Sequence, residues 1–347
     1  MYLIPAPKKL TMKENDTFVL HYNNRIVIGR ECDLTVTSHA QLLKKDIWHK
    51  LGFCLDITKG ERESGCIYLT VDQKLKKEEY RLTISEAGTL LHGGRDSGIE
   101  LYGGSDAGIL YGIQTLRQLI EAYGAVLPCM EIEDYPDIPN RGFFHDVTRG
   151  RIPTLVTMKA MADQLAYYKI NQLQLYIEHS FLFKDFSEVW RDDTPLTPEE
   201  ILELDAYCKN LHIDLIPSVA SFGHLYKVLR TKTYSGLCEL PDADKPPYSI
   251  YKRMAHHTLD TSNPESFEFV KKMLSEFMPL FSSDYFNFCA DETFDLGKGR
   301  SKELADRIGV NNMYVDFVKR ISDFVIASGK KPMFWGDIIC GFPEALE

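Results

Sequence analysis

Residues 142–177 read GFFHDVTRGRIPTLVTMKAMADQLAYYKINQLQLYI, and the fold turns on how that stretch divides. "GFFHDV" at its head and "INQLQLYI" at its tail are short apolar runs of the kind that form strands buried in a parallel sheet. Between them, "TLVTMKAMADQLAYYK" has the length and residue types of a helix. The same alternation continues downstream. "TPEEILELDAYCKNLH" is a helix opened by Thr197, with Pro198 at its first position and Glu200 completing a capping box. "IDLIPSVA" is a strand, and "NPESFEFVKKMLSEFM" is a helix capped by Asn263. "DYFNFC" is a strand, "NNMYVDFVKRISDFVIASG" a helix and "KPMFWG" a strand. Five strand candidates alternating with helices predict an α/β fold with a parallel sheet, and a (β/α) barrel or a doubly wound sheet fits that rhythm equally.

Upstream the pattern is different. "TFVLHY", "RIVIG", "CIYLTV", "YRLTI" and "GIELYGG" are β-branched or aromatic runs separated by turn residues. They precede a helix in which Ile109, Ile113, Leu116 and Ile120 mark one face and Gly124 the end. Strands followed by one packing helix predict a small α+β domain over residues 1–137. The proline-bearing "IEDYPDIPNRG" then serves as a linker into a second domain, residues 138–347.

The bulk numbers narrow the function. The chain has 347 residues, 44% of them hydrophobic, and a net charge of −10. That balance leaves no basic surplus for phosphate contacts, so neither nucleic acid nor an anionic membrane is an expected partner. No apolar run approaches the roughly 18 to 20 residues that span a bilayer. The N-terminus lacks the apolar core and cleavage site of a signal peptide, and eight scattered cysteines form no CxxC pair. They read as reduced packing residues of a cytoplasmic protein. GxGxxG, P-loop, GxSxG and HExxH patterns are absent, so neither a nucleotide cofactor nor a metal is expected.

Functional groups of parallel α/β sheets gather at the carboxyl ends of the strands. All five predicted ends carry titratable side chains: His145, Asp146 and Arg149; Glu178 and His179; His224; Asp291 and Glu292; and Asp337 beside Trp335. Asp146 with Arg149 can be a rim ion pair or a ligand contact, and His145 reads as a structural histidine. The adjacent acids Asp291 and Glu292, ending an aromatic-rich strand, are the hardest to explain as packing, because an unpaired buried carboxylate is costly.

These residues resemble glycoside hydrolase family 20, the β-N-acetylhexosaminidases. The tract "DYPDIPNRGFFHDVTR" from Asp134 to Arg149 is similar to the entry of that family's catalytic barrel. "ADE" at 290–292 resembles its acidic signature on strand four, while "FGH" at 222–224 and "FWGD" at 334–337 fall where members carry a His and a Trp. "GILYGIQTLRQLI" is similar to the last helix of the small domain before the barrel. The resemblance implies a TIM-type barrel, without cofactor, that removes terminal β-linked N-acetylhexosamine from a carbohydrate. The sugar's own 2-acetamido oxygen is then the nucleophile, an exception among retaining glycosidases. It implies Glu292 as acid and base, Asp291 orienting the acetamido group, and Arg141 on sugar hydroxyls. His224 supports the acid, Trp335 walls the pocket with Asp337 beside it, and Glu178 and His179 replace the family's His-x-x-Asp pattern. A non-catalytic carbohydrate-binding remnant, or a retaining glycosidase with its own nucleophile, are the alternatives. A TIM barrel has eight βα units and usually at least about 200 residues. Only five strand candidates follow Arg141, so a truncated piece or a partial barrel is expected, with an exposed edge through which a homodimer could form.

Overall fold

The structure is a computed structural model that describes residues 2–86, 97–242 and 256–342, without the side chains of residues 14 and 15. It divides into two compact units. The first comprises residues 1–141 with 161–171 and 210–213; the second comprises 142–160, 172–209 and 214–347.

The first unit is built on a seven-stranded mixed sheet. Its strands are β1 (Lys9–Val19), β2 (Arg25–Ile28), β3 (Asp56–Lys59), β4 (Ile67–Val71), β5 (Tyr80–Ser85), β6 (Gly98–Gly103) and β7 (Val126–Asp134). They are arranged in the order β1-β7-β5-β6-β4-β2-β3. Helices α1 (Leu34–Leu51) and α2 (Asp106–Tyr123) supply the rest of its core. On α2 the four residues read as a buried stripe are indeed fully buried. The Ser105 side chain caps the first turn by accepting from the Ala107 amide, and the Gly124 N–H closes the last turn on the Ile120 carbonyl. The sequence reading lacked α1, β3 and β7. Thr35, Val36 and Thr37 make a weak helix start, and Pro128 argues against a strand inside β7. Tertiary pairing overrides both: β7 sits between β1 and β5, and β1 shifts register between Met12 and Thr17 to match it.

In the second unit the chain runs β8 (Gly142–Asp146), α3 (Leu155–Tyr167), β9 (Gln172–Ile177), α4 (Ser187–Trp190), α5 (Pro198–Asn210) and β10 (Asp214–Val219). It continues through α6 (Tyr226–Leu229), α7 (Pro264–Phe277), β11 (Tyr285–Asn287), α8 (Lys302–Ile308), α9 (Val310–Ala327) and β12 (Lys331–Met333). Thr197 and Glu200 form the reciprocal capping box, each backbone N–H donating to the other's side-chain oxygen at 3.0 and 3.2 Å. The Asn263 side chain caps α7.

All five strands are parallel and lie in the order β12-β11-β10-β9-β8, each beside its neighbour in sequence. A doubly wound sheet reverses direction at a switch point, whereas this order never reverses, as in a (β/α) barrel. The sheet also curls. Phe144 on edge strand β8 meets Trp335, just beyond the opposite edge strand β12, edge-to-face at 5.2 Å. Parallel pairing in register brings the five carboxyl ends to one rim. None of the eight cysteines is paired with another; six are buried, while Cys54 and Cys340 are exposed.

Candidate active site

The acidic turn after β11 dictates the geometry of that rim. The strand stops at Asn287 because the backbone turns left-handed at Cys289 (φ 62°), Ala290 (φ 62°) and again at Glu292 (φ 49°). Among the described residues seven non-glycine positions have positive φ, and four of them are these three and His224 (φ 58°). Such conformations are costly and persist only where surroundings over-determine them. Here they do. The Asn287 side chain accepts from the Cys289 amide at 2.9 Å, and the Trp335 amide donates to the Cys289 carbonyl at 2.9 Å. The buried Tyr314 hydroxyl on α9 donates to the Ala290 carbonyl at 3.0 Å. Ser221 Oγ donates to the Phe288 carbonyl, and Asp337 Oδ2 accepts the Glu292 amide at 3.1 Å. Gly223 completes the clamp: a Cβ at that position would lie 2.3 Å from the Asp291 carbonyl oxygen, so only glycine lets the β10 loop pass.

The side chains so held meet around His224. Its Nε2 lies 3.2 Å from Asp291 Oδ2 and 3.3 Å from Glu292 Oε2, and its Nδ1 lies 3.9 Å from Glu178 Oε1. Burial disfavours a charge on this imidazole, but the Asp291 hydrogen bond and the three carboxylates outweigh it and raise its pKa. The two acids differ in exposure: the side chain of Glu292 is 41% exposed, that of Asp291 22%. Asp291 Oδ1 is enclosed and has no hydrogen-bond partner among the described residues. Behind His224, the buried His257 accepts the His224 backbone amide on Nδ1 at 2.9 Å.

Glu178, almost fully buried, adjoins this group. Its backbone amide donates to Thr148 Oγ1 at 2.9 Å, and the Tyr176 hydroxyl donates to Oε1 at 3.1 Å. Arg149 spans from Asp146 (Nε to Oδ2, 2.5 Å) to Glu178 (3.8 Å), with its guanidinium over the Tyr176 ring at 5.0 Å. Burial pushes the Asp146 pKa up, but the amides of Arg149 and Thr148 and the guanidinium outweigh it and hold the carboxyl below its usual value. Trp335 and Phe144 supply a half-open aromatic wall.

The structure therefore brings together Asp291, Glu292, His224 and Glu178, with His179 adjoining Glu178 (Nδ1 to Oε2, 3.8 Å). One expectation is corrected. Arg141 precedes the first residue of β8, at the amino rather than the carboxyl end of the strand. Its guanidinium binds the carbonyls of Ile138, Pro139 and Lys169, the Tyr111 hydroxyl and the Glu78 carboxylate, so it is structural; Arg149 is the arginine at the rim. Asp337 stays at the rim beside Trp335, and its Oδ2 also clamps the acidic turn by accepting the Glu292 amide. His145, as expected, stacks on Phe143 instead of joining the acids. His257, Tyr314 and Tyr176 were not singled out in the sequence, since a lone buried His or Tyr carries no local signal. Among the described residues no group of three or more His, Cys, Asp or Glu side chains could hold a metal ion.

Carboxylates around a histidine, at the carboxyl rim of a barrel-type parallel sheet, are groups that can exchange protons with a ligand at that rim. Comparison with known proteins gives the family. Residues 139–346 match the glycosyl hydrolase family 20 catalytic domain, and residues 1–135 match domain 2 of the same family. The chain belongs to glycoside hydrolase family 20. It is 26% identical over 372 residues to a beta-hexosaminidase of Porphyromonas gingivalis, covering 98% of this chain and 46% of that protein. It is 27% identical over 292 residues to a beta-hexosaminidase of Akkermansia muciniphila, covering 75% and 56%. The chain thus spans about half the length of these curated relatives. Its fold matches that of Flavobacterium johnsoniae chitobiase with a TM-score of 0.79 at 21% identity, over 97% of this chain and 52% of the other. Streptomyces plicatus N-acetyl-β-hexosaminidase matches with a TM-score of 0.78 at 20% identity, over 97% and 66%.

Proposed function

We propose that this chain carries the catalytic groups of a β-N-acetylhexosaminidase, which removes terminal β-linked N-acetylhexosamine with retention and with the substrate's acetamido oxygen as nucleophile. The observation that carries this reading is the single His224 Nε2 within hydrogen-bonding reach of both Asp291 and Glu292. Glu292, the more exposed acid, reaches the open mouth and is the general acid that protonates the leaving oxygen and later activates water. Asp291 keeps one enclosed oxygen without a partner among the described residues, which suits it to accept the acetamido N–H and offset the charge that grows on the oxazolinium ring. His224, drawn toward the cation by its neighbours, holds both carboxylates in place. Asp146, Arg149 and Glu178 offer a hydrogen-bonding edge for sugar hydroxyls, and Trp335 with Phe144 an apolar wall for the ring or the acetamido methyl.

Named relatives agree with a carbohydrate substrate: the Streptomyces plicatus enzyme was solved with Thio-NAglucal and the Vibrio harveyi exo-β-N-acetylglucosaminidase with N-acetylglucosamine. Release of nitrophenol from an aryl β-N-acetylglucosaminide, compared between the parent and Glu292→Gln, tests the assignment. Activity that collapses in the variant supports it; equal activity in both refutes the role of Glu292. Affinity for an oxazoline-mimicking thiazoline supports substrate assistance, whereas covalent trapping by a fluorosugar identifies an enzyme nucleophile instead.

A further inference from the structure

We infer that His257 is a positioning residue, which fixes the orientation of His224 toward the two acids by accepting its backbone amide. This rests on the reading of His224, Asp291 and Glu292 as the reactive group, and it adds a residue from outside the strand ends. The Nδ1 of His257 lies 2.9 Å from the His224 amide nitrogen, and the two rings meet edge-to-face at 5.2 Å. The amide donates, so Nδ1 carries the lone pair and any ring proton is on Nε2. Burial, with the neighbouring His224 charge adding to it, pushes the His257 pKa down to about 4, against a smaller opposing pull from Asp291. The ring is therefore a neutral acceptor through the ordinary pH range.

Two features argue that this acceptor is why a histidine stands here. His257 is 1% exposed and its Nε2 has no hydrogen-bond partner among the described residues. A buried donor left unpaired is costly, so packing alone favours an apolar side chain at this position. An apolar side chain cannot receive the amide of His224, a residue whose backbone is left-handed at φ 58°. The hydrogen bond thus stabilises a strained backbone position, and that position sets where the imidazole of His224 points. A second tie runs from His224 into the same segment, because the Leu225 amide donates to the His257 carbonyl at 2.9 Å. Residue 257 therefore grips the His224 loop by both its side chain and its backbone, and only the side-chain half can be removed by substitution.

The test is a matched set of substitutions. Asparagine places Oδ1 where the imidazole has Nδ1 and remains neutral, so His257→Asn should keep kcat close to the parent. His257→Leu removes the acceptor and should lower kcat on the order of 10²-fold with little change in KM, the effect of misplacing a reactive group by about an ångström. His257→Met gives the same reading should the leucine variant fail to fold. If the chain turns over no substrate, calorimetric affinity for the thiazoline is read in place of kcat, with Asn again matching the parent and Leu weakening it. Leu and Asn variants that both match the parent, or that are equally impaired, overturn the inference. His224→Asn in the same assay separates the two claims. A crippled His224→Asn beside a fully active His257→Leu sinks only the positioning role, whereas a fully active His224→Asn sinks the catalytic reading on which it rests.

Discussion

Two buried charged clusters, one in each unit, use similar residue types to opposite ends. In the first unit Lys169 donates to Asp134 Oδ2 at 2.8 Å and to the Tyr80 hydroxyl at 2.9 Å. Tyr80 in turn bonds Thr115 at 2.6 Å and donates to Asp134 at 3.1 Å. One cation meets one anion, the shared tyrosine hydroxyl is saturated, and Asp134 and Tyr80 sit at the ends of paired strands. In the second unit three carboxylates crowd one imidazole, and an oxygen of Asp291 has no hydrogen-bond partner among the described residues. The backbone is left-handed at four residues of that cluster, Cys289, Ala290, Glu292 and His224, against Lys169 alone (φ 60°) in the first. Burial lowers the pKa of Lys169 against the pull of Asp134, so its charge is a net cost to that site, whereas at His224 the carboxylates win and the pKa rises. The first cluster's charges cancel, as packing requires; the second gathers like charges on several left-handed residues, the pattern on which the proposed chemistry rests.

The contrast is broken most directly at Glu292. Glu292→Gln should lower kcat/KM by about 10²- to 10⁴-fold, the worth of a general acid. Thermal or urea unfolding should move by less than about 1 kcal/mol, since the side chain is partly exposed. At the other cluster the pattern should invert. Lys169→Met should destabilise by about 3–5 kcal/mol, because it strands a buried carboxylate, while turnover per folded molecule is unchanged. Adding Asp134→Leu should recover much of that loss, since a buried pair replaced whole by apolar groups is often neutral. A double variant as unstable as the single one would show that the pair itself stabilises the unit.

The raised His224 pKa has a definite sign in stability. A group whose folded pKa lies above its unfolded value adds its full stabilisation below the unfolded pKa, about 6.5 for histidine, and loses it as pH rises through the folded value. The gap in unfolding free energy between the parent and His224→Gln should therefore narrow as the pH is raised above about 6.5. A gap that widens over that range would contradict the carboxylate environment described here.

Much of this was legible in the chain. Period and punctuation placed the five parallel strands, and reading only the strand ends picked out His224, Asp291, Glu292 and Glu178, because charges there break otherwise apolar runs. Arg141 was misassigned because an Arg-Gly pair beside a strand does not say at which end the side chain leaves, and the strand begins at Gly142. Asp337 was recognised as a polar rim residue but not as a backbone acceptor, since that role depends on the turn at Glu292 closing onto it. His257 could not be read at all. Its partner is a backbone amide 33 residues earlier, and such pairings exist only once the loops are folded.

The smallest expected effect lies at Tyr314, where packing and chemistry meet. Its ring stacks on Phe222 at 5.7 Å and its hydroxyl holds the Ala290 carbonyl, so one side chain braces both the loop that carries His224 and the turn that carries the acids. Tyr314→Phe keeps the stack and deletes only the hydroxyl. Loss of a single neutral hydrogen bond should cost about 0.5–1.5 kcal/mol of stability. Because Cys289, Phe288 and Glu292 are clamped independently, the turn should hold its shape, and kcat should fall by less than about tenfold, the equivalent of 1.4 kcal/mol. Parallel urea melts and kinetics on the variant measure both numbers. A loss as large as that of Glu292→Gln would mean that the left-handed turn hangs on this one hydroxyl, and that the other clamps do not over-determine it.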